Sequence, residues 1–227
     1  MPLNEQSFLT LEEAALVLAA RLEEDLAEAL EKRGEALLAV SGGRTPRMVF
    51  ERLSRAQLDW GNVTVTLSDE RWVAPDHPDS NEKLVRDFLL KGPAAAARFV
   101  PLYGGEETPE AGQAGCEVRL EKLKLPFDAV YLGMGGDGHF ASLFPGDPAV
   151  MVTEGRCVAA PATEMRVGRM SLTAPAILEA RQIYLLFSGE DKHRKYAEAQ
   201  RPGDAREVPL RLVMQQSHTP VCVLMAN

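Results

Sequence analysis

Short apolar runs separated by amphipathic stretches constrain this chain more than any other feature. Ala36–Val40 (ALLAV), Val63–Leu67 (VTVTL), Phe127–Leu132 (FDAVYL), Gln182–Phe187 (QIYLLF) and Pro220–Met225 are each long enough for a buried strand and too short for most helices. Met170–Thr173 and Phe99–Leu102 read as weaker strands. Between them lie helical patterns. In the first, Leu11, Ala14, Ala15, Leu18, Leu22, Leu26 and Leu30 share one face, with Thr10 placed to cap it and Gly34 to end it. Helices are also expected from Thr45-Pro46 to about Leu53, and over Asn81–Lys91, Pro109–Lys124, Asp191–Gln200 and Leu210–Gln216. Strands that are apolar on both faces and alternate with helices predict an α/β fold. Its sheet would be mostly parallel, with helices on both faces.

The chain has 227 residues and shows no repeat, low-complexity tract or long linker, so one domain spanning 1–227 is expected. Its formal net charge of -8 argues against a general nucleic-acid or anionic-membrane binder, though a local site can still be positive. Cys116, Cys157 and Cys222 form no CxxC pair, which excludes a cysteine-rich zinc module or a disulfide framework and fits a reducing compartment. The opening residues are acidic where a secretory signal would be basic, and no apolar run approaches a membrane span. The expectation is a cytoplasmic protein.

In open parallel sheets, ligands gather at the carboxyl ends of the strands. Three polar loops each follow an expected strand: Ser41–Pro46, Ser68–Asn81 and Gly133–Pro145. In the first, SGGRTP, Gly42 and Gly43 let the backbone approach a ligand, and Thr45 can cap the next helix. Free N–H groups at a helix start favour an anion such as phosphate, and Arg44 adds a positive charge. In the second loop, Arg71 suits a bidentate grip on phosphate, and Asp69 can act as a base or orient one. His77, among Asp76, Pro78 and Asp79, reads as a surface turn rather than a metal ligand.

The third loop, GMGGDGH, matches the dinucleotide pattern GxGxxG through Gly133, Gly135 and Gly138. That motif needs a helix at its end, and Pro145 stops one early, so the nucleotide reading fails on context. What remains is His139, whose imidazole titrates near neutrality when unperturbed, with Asp137 at hand to fix its tautomer. No GxSxG elbow, HExxH pair or zinc-ligand spacing is present. Lys192 heads a basic run (Lys192, His193, Arg194, Lys195) after the strand QIYLLF and the turn Ser188-Gly189, within reach of the same sheet edge. Arg166 and Arg169 flank the Met170–Thr173 strand as lesser candidates. A phosphate cradle, an arginine and a histidine base suit water attack or proton transfer on a phosphorylated small molecule.

At these residues the sequence resembles the 6-phosphogluconolactonases, whose superfamily also holds the glucosamine-6-phosphate deaminases. The motifs are SGGRTP at Ser41–Pro46, SDERWV with a downstream DSN within Ser68–Asn81, and LGMGGDGHFASLFPG at Leu132–Gly146. RMSLT at Arg169–Thr173 and SGEDK at Ser188–Lys192 match more loosely. The resemblance implies a Rossmann-like single domain, no cofactor and no metal. It implies hydrolysis of 6-phospho-D-glucono-1,5-lactone in the pentose phosphate pathway, with a sugar-phosphate lactone as the small-molecule partner. By that pattern His139 takes a proton from water, with Asp137 or Asp69 to orient it. Ser41, Gly42, Gly43, Arg71 and Lys192 hold substrate oxygens or phosphate. The chain departs from the family at Arg44, where a small residue is common, and after His218, where the usual aromatic and acidic ending is missing.

Two rivals are weighed against this. The deaminase motif continues from GDGH to Asn-Glu-Pro, supplying a carboxylate near the histidine. Here Leu143-Phe144-Pro145 takes that stretch, and the second loop reads Asp-Glu-Arg rather than Asp-Glu-Tyr. A sugar-phosphate sensor would carry a basic partner module, and the acidic helix and strand before Ser41 do not supply one.

Overall fold

A computed structural model gives the structure of the protein and describes residues 3–43 and 45–227. The chain opens with strand β1 (Asn4–Phe8) and helix α1 (Leu11–Arg33), then β2 (Ala36–Val40), α2 (Pro46–Leu53), β3 (Val63–Leu67) and the short β4 (Asp69–Arg71). Helix α3 (Asn81–Phe88), β5 (Arg98–Val100), α4 (Pro109–Glu121) and β6 (Ala129–Leu132) follow. The last third holds β7 (Cys157–Ala160), β8 (Arg169–Leu172), α5 (Ala174–Leu178), β9 (Ile183–Ser188), α6 (Glu190–Ala199), α7 (Arg211–Met214) and β10 (Val221–Ala226).

Seven strands form one sheet in the order β1-β10-β9-β6-β2-β3-β5, and every neighbouring pair is parallel. A separate antiparallel sheet, β4-β8-β7, stands beside it. The central strands β2 and β6 are buried at every position, which is why they read as unbroken apolar runs.

Helix α1 forms because its apolar side chains recur on one face and both ends are capped. Thr10 and Glu13 make a reciprocal capping box, and Gly34 closes the other end by donating to Leu30. Its face of Leu18, Leu22 and Leu26 is fully buried, and the helix packs on β2, β6, β9, β10 and α2. Each such leucine contributes about 1.5–3 kcal/mol through burial.

From β1 to β2, β3 and β5 the chain steps toward one edge of the sheet; from β5 to β6, β9 and β10 it steps back. Right-handed crossovers place the helices of these two legs on opposite faces. The legs part at the adjacent strands β2 and β6, so the loops leaving them diverge. That divergence opens a crevice at the carboxyl edge.

Candidate active site

The crevice between the loops after β2 and β6 is a cleft of about 360 Å³, and all three sequence-selected loops line it. Ser41, Gly42 and Gly43 come from the first, Asp69, Arg71 and Asn81 from the second, and Gly133, His139 and Phe144 from the third. Lys192 closes it from α6. A larger hollow of about 420 Å³ lies at the opposite edge of the sheet and contains no imidazole. There Asp128 is paired with Arg33 and Arg181, and Lys122 and Lys124 follow the end of α4, where bases offset the helix dipole. Volume therefore does not select the site; the convergence of polar groups does.

His139 is held by its own loop. Its Nδ1 lies 2.6 Å from Oδ1 of Asp137, and its backbone N–H donates to the same oxygen at 3.1 Å. Burial works against ionising Asp137, but the hydrogen bonds and charge of His139 outweigh it and hold the carboxyl below its ordinary value. An ionised Asp137 accepts the Nδ1–H, which leaves the lone pair on Nε2. Among the described residues, no protein group bonds that Nε2. The loop closes tightly behind the ring: the Gly135 N–H donates to the His139 carbonyl at 2.9 Å. A Cβ at Gly135 would sit 2.2 Å from both Cε1 and Nδ1 of His139, so only glycine leaves room for the imidazole. Phe144 leans on the other side of the ring, with centroids 4.5 Å apart.

Asp69 does not touch the imidazole. Its Oδ2 accepts from the fully buried Ser142 hydroxyl at 2.6 Å, and its Oδ1 accepts from Ser68 at 3.1 Å. The expectation that Asp69 orients His139 is corrected here: Asp69 fixes the Phe140–Ser142 turn instead, and of the two carboxylates Asp137 is the one hydrogen-bonded to the ring. That turn carries Ala141 at φ 47, a left-handed conformation rare for a residue with a Cβ.

The second loop is fastened by two residues that the sequence reading did not select. The carboxylate of Glu70 accepts from the N–H groups of Arg71, Asn81 and Glu82, each at 2.7 Å, and from the Ser80 hydroxyl at 3.1 Å. Burial pushes the Glu70 carboxyl up to about 7, while those four donors pull it the other way. Asn81 donates to the Asp69 carbonyl at 2.8 Å, and its side chain lies where a Cβ of Gly42 would stand, 1.8 Å from Oδ1. The first two loops thus meet only because residue 42 lacks a side chain. The available signal was Ser80 at the start of α3, whose hydroxyl caps that helix.

Among the described residues, three cations face the cleft. Arg71 on β4 pairs in register with Arg169 on β8, and Lys192 faces them from α6. The Arg71 Nη1 donates to the Asp79 carbonyl at 2.6 Å, which steadies the guanidinium. Arg169 Nε is buried without a partner. Burial first, and then the neighbouring Arg71, lower the Arg169 pKa below its ordinary value. A cation so placed gains from an anion, and the N–H groups of Gly42 and Gly43 have no acceptor among the described residues. Arg169, a lesser candidate by sequence, therefore belongs to the basic wall, whereas Arg166 does not line the cleft. Arg44 lies outside the described residues. Thr45 lines the cleft but makes no capping bond; its backbone is already helical (φ -62, ψ -43), contrary to the expected cap.

Of the basic run on α6, only Lys192 lines this cleft. Arg194 pairs with Asp191, Lys195 bonds Glu198 at 2.7 Å, and His193 Nε2 contacts the Ala226 carbonyl at 2.9 Å. His77 sits in an exposed turn, its Nδ1 accepting from the Asp79 N–H at 3.1 Å. Among the described residues there is no cluster of three or more potential metal ligands, and no helix is long and apolar enough to cross a membrane.

Comparison with known proteins bears on the chain as a whole. A family profile described as glucosamine-6-phosphate isomerases/6-phosphogluconolactonase matches residues 10–222. A protein of Rhizobium meliloti (strain 1021) named 6-phosphogluconolactonase is 44% identical over 206 residues, covering 88% of this chain and 89% of that protein. One of the same name from Pseudomonas aeruginosa is 42% identical over 208 residues, covering 89% and 87%. The crystal structure of a 6-phosphogluconolactonase from Shewanella baltica OS155 superposes with a TM-score of 0.96 at 41% identity, covering 100% of this chain and 98% of that one. With both sequence and backbone shared over nearly the whole length, the chain belongs to the glucosamine-6-phosphate isomerase/6-phosphogluconolactonase family.

Proposed function

We propose that this protein is a 6-phosphogluconolactonase, hydrolysing 6-phospho-D-glucono-1,5-lactone to 6-phosphogluconate in the oxidative part of the pentose phosphate pathway. The observation that carries the reading is the His139–Asp137 contact, which directs the Nε2 lone pair away from Asp137, in a cleft walled by Arg71, Arg169 and Lys192. The wall takes the phosphate, with the N–H groups of Gly42 and Gly43 as further donors. That anchoring sets the lactone carbonyl near the imidazole and converts water attack into a reaction between positioned groups.

Nε2 then removes a proton from a water whose oxygen bonds to the lactone carbonyl carbon. The tetrahedral oxyanion is stabilised by the nearby donors and cations. As the carbonyl re-forms, the bond to the ring oxygen breaks and the imidazolium returns its proton to that oxygen. Asp137 stays ionised throughout and holds the Nδ1 proton. Base catalysis of this type supplies about 10²–10⁴-fold. The lactone carbonyl is electrophilic enough that no covalent enzyme intermediate is required.

The geometry disfavours the deaminase. Where that motif carries a carboxylate near the histidine, this site has the Phe144 ring, 4.5 Å from the imidazole. A coupled assay on freshly prepared 6-phosphogluconolactone, corrected for spontaneous ring opening, tests the reading. His139→Ala is expected to bring turnover close to the uncatalysed rate. Normal turnover in that variant removes His139 from the mechanism, and ammonia release from glucosamine 6-phosphate reassigns the protein.

A further inference from the structure

We infer that Arg166 is a positioning residue for the His139 imidazole, acting through the ring of Phe144. The inference rests on the reading of His139 as the base. Arg166 lies in the connection between β7 and β8, where Thr163 and Arg166 exchange backbone hydrogen bonds of 2.8 and 3.3 Å. Its neighbours point outward: Met165 is 97% exposed and Val167 49%. The Arg166 side chain turns inward and is only 16% exposed. Its guanidinium carbon sits 3.7 Å from the centre of the Phe144 ring.

The arginine is itself clamped. Nη2 donates to Asp147 Oδ2 at 3.0 Å, and the other oxygen of Asp147 accepts the Ala149 N–H at 3.0 Å. Nη2 also reaches the Pro161 carbonyl at 3.4 Å, while the buried Nε has no partner. A guanidinium fixed in this way presses on Phe144, and Phe144 leans on the imidazole at a 44° tilt. The imidazole is therefore restrained twice: Asp137 fixes its Nδ1 edge, and the Arg166–Phe144 stack limits its tilt.

Leucine at 166 removes the guanidinium from the face of Phe144. Lysine keeps a charge there without the flat stack.

The test compares Arg166→Leu, Arg166→Lys and the parent protein in kcat and KM, with NMR of the His139 ring protons in the free protein. For Arg166→Leu, kcat falls about 10-fold with KM within about 2-fold, since small misplacements of a reacting group cost rate rather than binding. The ring signals shift. Arg166→Lys, which keeps the charge but not the flat stack, leaves kcat low. Unchanged kcat and ring signals in Arg166→Leu overturn the inference, as does a rise in KM alone, which would place Arg166 on the substrate. If the leucine variant folds poorly, Asp147→Asn loosens the clamp with the arginine in place, and the same ring signals must move. Activity that survives His139→Ala defeats the base assignment; an Arg166→Leu enzyme identical to the parent beside an inactive His139→Ala defeats only the role of Arg166.

Discussion

One oxygen of Asp137 meets His139 twice, at the ring Nδ1 (2.6 Å) and at the backbone N–H (3.1 Å). The carboxylate thus selects the tautomer and locks the rotamer together. In Asp137→Asn the amide oxygen can still take the backbone N–H, but the matched charge on Nδ1 is lost. We expect kcat to fall by about 10²–10³-fold with KM little changed. An Asp137→Asn enzyme within threefold of the parent in kcat would show that Asp137 has no part in preparing the base.

On the proposed reading, Arg169 grips the phosphate and takes no part in the chemistry. Its Nε is buried with no partner among the described residues, and its register partner is Arg71. Removing a charged hydrogen bond to the phosphate in Arg169→Leu should lower kcat/KM for the phosphorylated lactone by about 10–100-fold. Hydrolysis of the unphosphorylated gluconolactone should hardly change. Equal losses on both substrates would move Arg169 out of the phosphate site.

Gly135→Ala places a methyl group 2.2 Å from two atoms of the His139 ring. The ring must rotate away, so activity should drop by at least about 10²-fold. The loop is on the surface of the sheet, and the thermal midpoint should shift by only a few degrees. An active Gly135→Ala enzyme would mean that the imidazole works in another rotamer.

Acid affects stability through Asp25, half-buried on α1 with the Tyr184 hydroxyl donating to it at 2.7 Å. Burial, aided by Glu28, Glu24 and Asp128, raises its carboxyl to about 6 against the pull of Tyr184. Between the ordinary carboxylate range and about 6, the folded protein then binds more protons than the unfolded chain, so the burial cost is present above pH 6 and relieved below it. Unfolding free energy measured relative to Asp25→Asn should accordingly rise by roughly 1–2 kcal/mol from pH 7 to pH 4. A difference that stays flat across that range rules out the raised carboxyl.

The central strands were legible because their signal is local. Ala36–Val40 and Val63–Leu67 are found with the boundaries expected from sequence, and the helix caps at Thr10 and Gly34 hold. Strand β1 (NEQSF) was not legible: it is polar and largely exposed, and only pairing with β10 makes it a strand. The same holds for β4, whose Asp-Glu-Arg reads as a charged loop until β8 lies beside it. In the site, glycines and a histidine announce themselves in sequence. Arg169 does not, because the antiparallel register that sets it beside Arg71 is a long-range fact.

The order of the main sheet ties together strands far apart along the chain: Asn4 lies beside Cys222. Among the described residues β1 pairs with β10 alone, and β10 occupies the slot between β1 and β9. During synthesis β1 must wait, unpaired, until β10 has been made. A premature stop before Val221 would strand it there, and would also strip β9 of a neighbour, leaving the apolar edge of IYLLFS open to strand addition by other chains.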